Sequence, residues 1–432
     1  MTTTTVAGAA RSIDARSSVM ARSLPTSEIL RISGEIRAMP GGGKDVCNLT
    51  VGDFNPAFFP IPGKMKEETL EALRRGETNY PPAEGMVELR KAVMAYYEEW
   101  LGLKYDLGSV LITAGSRPGI HATYSAIVDP GDAVVYPVPS WNNTYYVTMM
   151  SAAGTPAICR KEDGFLPTRA VLEPLIRDAR LLVLNSPSNP TGTAFTRETL
   201  EGICDLVLEE NERRGEDERP LFLLYDHVYW MLTFHDTQHV NPVSLRPEMK
   251  PYTVFIDGIS KAFAATGMRV GWVVGPSDLV AKMGSILGHV GAWAPRAEQL
   301  ATSRVLPETA HLKEFTARMR RDLLARLDAL HNGISKMRAD GLPVDSIAPM
   351  GAMYLSAQFN LVGRRARDGR TLENNEDIRS YLLREANFGV IPFQAFGSDE
   401  DTGWCRLSAG AVSVETINQT LPQVRKALEA LA

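Results

Sequence analysis

The chain has little with which to build a covalent or metal-clamped scaffold. Among 432 residues there are four cysteines, Cys47, Cys159, Cys204 and Cys405, far apart and with no CxxC pair. That argues against a disulfide framework or a zinc site and suits a reducing compartment, so the cytoplasm is expected. The seven histidines show no HExxH or comparable ligand spacing, and no metal is expected. A basic excess is missing too: the net charge is −5, which gives no footing for nucleic acid. No window approaches the ~18 apolar residues of a membrane span, so no membrane partner is expected. A GxGxxG frame after the first strand is absent, because "TAGSRPG" does not fit it; this excludes a nicotinamide-dependent oxidoreductase on a dinucleotide-binding sheet. "GGGK" at 41–44 lacks the GxxxxGK[ST] frame and reads as a turn after a helix over 26–39.

What is present describes a soluble globular chain: 22% charged and 44% hydrophobic residues, with enough length for two domains. Six apolar runs bounded by turn residues read as strands: 110–113, 133–138, 180–187, 221–226, 253–258 and 270–275. Helical patterns such as "RPGIHATYSAIV" and "RETLEGICDLVLEENERR" lie between most of them. Strands apolar on both faces and alternating with helices predict a mainly parallel sheet in an α/β layer fold. A long helix over roughly 308–336, then "MGAMYLSAQF", "FGVIPFQAFG", "WCRLSAG" and a last helix from about 414, predict a smaller α+β domain. The stretch "LEENERRGEDERP" (208–220) reads as a helix end and solvated loop. The Thr-, Ser- and Arg-rich start predicts a mobile tail over 1–25.

In an open parallel sheet, ligands collect at the carboxyl ends of the strands. Read in order, those ends carry "AGSRPG" opening a helix, whose N–H groups near Ser116 and Arg117 can face an anion; then Trp141, Asn189, Asp226, Tyr229, Ser260, Lys261 and Arg269. An anion nest, a flat aromatic, an amide, a carboxylate, a phenol and two cations suit a flat, phosphorylated, basic aromatic aldehyde.

Together, "TNYPPAEGMVELRKA", "NSPSNPTG", "LLYDHVYW", "ISKAFAATGMRVGW" and "WCRLSAG" resemble the fold-type I, class I aminotransferases that use pyridoxal 5'-phosphate, of the aspartate aminotransferase type. The resemblance runs from about residue 25 to the C-terminus. It implies a seven-stranded, mainly parallel sheet between helices in a large domain (56–307), a small C-terminal domain (308–432), and an N-terminal segment (26–55) joining the small one. It also implies a Schiff-base lysine at Lys261, and it answers why the loop after strand 253–258 holds two cations with little acid. A carboxylate neighbour would hold such an amine charged, whereas a second cation favours the neutral form. By resemblance Arg269 grips the cofactor phosphate with the N–H groups at 116–117. Asp226 pairs with the ring nitrogen, Asn189 and Tyr229 with the ring oxygen, and Trp141 stacks on the ring. Tyr80 resembles the tyrosine that reaches the neighbouring subunit's phosphate, which implies a homodimer. Many family members carry a hydroxyl three residues before the lysine; here Gly258 stands there, and Ser260 or the backbone takes its place.

Arg406 in "RLSAG" matches the arginine that binds the substrate α-carboxylate, and the backbone near Gly52 the strip that closes over it. Arg117 matches a lysine read, in one aspartate-type subgroup, as the receptor of a distal carboxylate, which suits acidic amino acids or 2-oxoglutarate. The apolar segment 289–299 could equally line a pocket for a bulky side chain. The implied reaction is transamination of an acidic or aromatic amino acid, with an allied β-lyase as the alternative on the same scaffold. An effector-sensing module of a regulator would need an N-terminal DNA-binding domain, and some 25 residues are too short for one.

Overall fold

A computed structural model describes residues 16–432. Seven strands form the larger sheet: β2 (Val110–Thr113), β3 (Ala133–Val138), β4 (Ala153–Ile158), β5 (Ala179–Asn185), β6 (Phe222–Asp226), β7 (Thr253–Gly258) and β8 (Gly271–Val274). Their order is β2-β8-β7-β6-β5-β3-β4, and only β8 runs against its two neighbours. Each central strand feeds two cores. Leu181, Val183, Leu224 and Ile256 pack on one face, while Leu182, Leu184, Leu223 and Phe255 pack on the other. Burial on both faces is why these runs are continuously apolar rather than alternating. The sequence pattern shows six of the seven strands. The seventh, β4, is an edge strand with Gly154, Pro156 and mostly exposed positions, so it carries no apolar run to be noticed.

Parallel pairing sets Asn185 beside Asp226, and Asp226 beside Ile256. The carboxyl ends of β5, β6 and β7 thus lie side by side, where the chemistry was expected. A second, four-stranded antiparallel sheet comprises β9 (Val344–Ser346), β10 (Tyr354–Phe359), β12 (Ile391–Pro392) and β13 (Trp404–Ser408). The 31-residue helix Thr309–Ala339 and the helix Val414–Glu429 accompany it. The N-terminal segment joins this part of the molecule: β1 (Cys47–Asn48) pairs with β11 (Phe388–Gly389), and helix Glu28–Ala38 buries Ile32 and Ile36 in a cluster with Phe393 and Trp404.

Of the tail expected over 1–25, residues 1–15 lie outside the described residues, and Val19–Ser23 form a short helix with no buried side chain. Among the described residues, no helix is long and apolar enough to cross a membrane.

The reading of 208–220 as a helix end and solvated loop holds for the exposed loop 215–219, and needs correction in the last turns of the helix. Glu210 and Arg214, one turn apart in helix Arg197–Arg214, are both buried and joined at 2.7 Å. Arg214 also donates to the carbonyls of Ile176, Arg177, Ala179 and Arg219. Charge composition cannot reveal this, because the acceptors are distant carbonyls. Glu210→Ala leaves the guanidinium buried with one partner lost, and a loss of ~3 kcal/mol in denaturant unfolding is expected.

Candidate active site

One cavity of about 440 Å³ lies at the carboxyl ends of β5, β6 and β7. Eleven of the twelve residues singled out in the sequence border it: Gly52, Ser116, Arg117, Trp141, Asn189, Asp226, Tyr229, Ser260, Lys261, Arg269 and Arg406. The twelfth, Tyr80, is 82% exposed and packs edge-on against Trp293, with ring centroids 5.2 Å apart. None of residues 289–299 borders the cavity. The expectation that this segment lines it is therefore not met within one chain; Trp293 lies instead against Tyr80.

Four cations face this space, and none meets a carboxylate among the described residues. Lys261, in the short helix Ile259–Ala262 that follows β7, donates from Nζ to the Gly52 carbonyl at 2.6 Å. Arg269 donates to the carbonyls of Thr266 (2.8 Å) and Ala114 (2.9 Å). Arg406, on β13, donates to Asn189 Oδ1 at 3.1 Å and the Thr50 carbonyl at 2.7 Å. Arg117 lies over the Trp141 ring, 4.7 Å from its centroid. Burial, and then the charge of Arg117, make the Arg269 guanidinium less basic than usual. Two cations side by side without a counter-ion form a site for an anion.

The backbone completes that site. Helix Ser116–Ile127 starts after Gly115, whose φ is 83°. A Cβ on Gly115 would collide with the Arg269 guanidinium, so the arginine lies across the helix N-terminus only because residue 115 is glycine. Gly258 also has a steric reason. A Cβ there would stand 2.7 Å from the Gly271 Cα, so no hydroxyl-bearing side chain fits three residues before the lysine. Ser260 is buried and borders the cavity.

Asp226 is the counterpart of these cations. Its Oδ1 accepts from the Val228 N–H at 3.1 Å, and among the described residues no cation touches it. Burial pushes its carboxyl up to about 7, against the opposing pull of the Val228 N–H and the Lys261 charge. A buried carboxyl that borders a cavity and holds no cation is a fit for a protonated ring nitrogen. Arg406 makes a comparable case. It is 1% exposed, its Nε has no partner, and its guanidinium is held between the Tyr354 and Phe396 rings at 4.7 and 4.9 Å. Such a group suits a carboxylate that arrives with the substrate. The residues present therefore fit pyridoxal phosphate: a cationic cradle for its phosphate, an acid for its nitrogen and an amine for its aldehyde.

Several neighbours escaped the sequence reading. Tyr354 Oη lies 2.9 Å from Tyr229 Oη. Asn185 holds the Asn189 N–H with Oδ1 and donates from Nδ2 to the Asp226 carbonyl. Thr266 donates to Asp53 at 2.6 Å, and Ile29 borders the cavity from the N-terminal helix. Asn185 and Thr266 were open to reading, one as the polar end of β5 and the other by its place between Lys261 and Arg269. Tyr354 and Ile29 come from distant elements, and only the tertiary fold brings them here.

Known proteins resemble this chain in sequence and in fold. A sequence model of the family described as "Aminotransferase class I and II" matches residues 44–423. An aspartate aminotransferase of Rhizobium meliloti (strain 1021) is 31% identical over 381 residues, 87% of this chain and 88% of that one. A probable aspartate/prephenate aminotransferase of Rhizobium leguminosarum bv. phaseoli is 30% identical over 86% of this chain and 89% of its own length. The crystal structure of the Rhizobium meliloti aspartate aminotransferase superposes with a TM-score of 0.86 at 28% identity, covering 96% of this chain and 99% of that one. An aromatic aminotransferase from Pyrococcus horikoshii OT3 gives 0.79 at 26% identity, over 92% and 98%. The chain therefore belongs to the class I and II aminotransferase family, whose members depend on pyridoxal phosphate, and it is a transaminase of fold type I.

Proposed function

We propose that the cavity holds pyridoxal 5'-phosphate and that the enzyme moves the amino group of aspartate, glutamate or an aromatic amino acid to a 2-oxo acid such as 2-oxoglutarate. The carrying observation is the joint one at Asp226 and Lys261: an acid without a cation and an amine without an acid, facing one cavity. Bound there, the cofactor supplies an electron sink for the charge that develops at the substrate Cα.

The residues divide the remaining work. Lys261 is the anchoring amine and, once displaced, the base that removes the Cα proton. Asp226 holds the ring nitrogen charged, Asn189 and Tyr229 meet the ring oxygen, and Trp141 covers the ring. Arg269, Ser260 and the N–H groups at Ser116 and Arg117 receive the phosphate. Arg406, with the backbone at Gly52, takes the substrate α-carboxylate. Tyr80 reaches the phosphate of a second copy, so the working form is a homodimer; its exposure beside Trp293 supports this. Residues 56–307 act as the cofactor-carrying domain, and 308–432 as the smaller domain that brings Arg406. Four unpaired, buried cysteines support a cytoplasmic location.

Arg117 supports the acidic side of this specificity. It is an exposed cation at a helix N-terminus, where the dipole opposes it, and it borders the cavity without a carboxylate partner. The names of the relatives, aspartate and aspartate/prephenate aminotransferases, point the same way. Arg117→Leu is expected to cut single-turnover kcat/KM for aspartate and glutamate ~30-fold more than for alanine or phenylalanine, the worth of one charge-assisted pair. Equal losses on all four would remove Arg117 from substrate selection.

A further inference from the structure

Tyr354 stands on β10 opposite Ser408 of β13 and is 1% exposed. Its hydroxyl reaches from the smaller sheet to the Tyr229 hydroxyl, 2.9 Å away, with the rings edge-on at 5.7 Å. Both side chains border the cavity. Each phenol has one proton to give. If Tyr229 spends its proton on Tyr354, it offers the cavity only a lone pair. If Tyr354 donates instead, the Tyr229 proton is free to point inward.

One feature favours the second arrangement. The Arg406 guanidinium lies on the Tyr354 ring face at 4.7 Å, and a stacked cation makes a phenol the stronger donor. Gly52 leaves room for the Tyr354 hydroxyl, since a Cβ there would stand 2.8 Å from that oxygen. Burial, before any other cause, keeps the Tyr229 phenol protonated far above neutral pH, so its part there is donation rather than proton loss.

We propose that Tyr354 is a positioning residue that acts through Tyr229: its hydroxyl donates to the Tyr229 oxygen and so commits the Tyr229 proton to the cofactor's ring oxygen. This rests on the placement of Tyr229 beside that oxygen given above. Linked hydrogen bonds polarise one another, so the first strengthens the second. A stronger donor at the ring oxygen favours its anionic form, and the bound chromophore then gives up its proton at lower pH.

The readout is the pH midpoint of the visible absorbance of the holoenzyme, compared for wild type, Tyr354→Phe, Tyr229→Phe and the double variant. Tyr229→Phe is expected to raise the midpoint by about 1 pH unit. Tyr354→Phe is expected to raise it by about 0.3 unit, and the double variant to match Tyr229→Phe, because the relay has no second route. A wild-type midpoint in Tyr354→Phe, with Tyr229→Phe shifted, overturns the relay alone. So does a double variant shifted beyond Tyr229→Phe, which would mean that Tyr354 acts independently. No shift in Tyr229→Phe removes the placement of Tyr229 at the ring oxygen, and the relay with it.

Discussion

Lys261→Ala is expected to lower turnover at least about 10,000-fold while leaving the fold and much of the cofactor affinity in place. The loss combines two roles of one amine: the covalent tether that makes the aldehyde ready for exchange, and the base positioned at the substrate Cα. Retained binding follows from the separate cradle of Arg269, the helix starting at Ser116, and Asp226, none of which needs Lys261 for its geometry. The measurements are steady-state rates with aspartate and 2-oxoglutarate, and equilibrium dialysis of the cofactor. Turnover within tenfold of wild type would remove Lys261 from the chemistry.

Asp226→Asn is expected to lower kcat about 1,000-fold, because an amide cannot hold the ring nitrogen charged while negative charge develops at the substrate carbon. The same substitution has the opposite effect on the stability of the cofactor-free protein. Burial raises the Asp226 carboxyl from its usual 3.8 to about 7. Between those values the folded state holds a proton that the unfolded state has released, so stability falls as pH rises from about 4 to 7. Above 7 the full cost remains. Asp257 is pushed up to about 8, by burial first and in part by the Asp226 charge, so removing that charge eases Asp257 as well and adds to the variant's advantage near neutral pH. Cofactor-free Asp226→Asn should therefore unfold like wild type near pH 4 and be more stable by ~4 kcal/mol near pH 7.5. Bound cofactor should erase that advantage by giving the carboxylate its cation. A variant less stable than wild type at both pH values would mean that Asp226 is an ordinary structural acid.

The sequence was most legible where one local rule decided the structure. Strands such as 181–184 and 223–225 fill two cores at once and so announce themselves as apolar runs; β4, exposed at the sheet edge, does not. Because parallel strands deliver their polar ends to one line, Asn189, Asp226 and Lys261 could be grouped before any coordinates. Arg406 could not be placed by that rule, since it arrives from the antiparallel sheet; only the resemblance assigned it. Tyr354 was passed over because nothing in "GAMYLSAQF" marks its hydroxyl as facing Tyr229, 125 residues away in the chain. The Glu210–Arg214 pair was misread for a related reason: the carbonyls that make its burial tolerable are supplied by another loop.

Borohydride reduction of the purified enzyme followed by peptide mass analysis bears most directly on the site. Hydride trapping is expected to fix one pyridoxyl phosphate group on the peptide containing Lys261, with loss of the visible absorbance. A label on a different lysine, or a chain that takes up none, would contradict the assignment of that cavity.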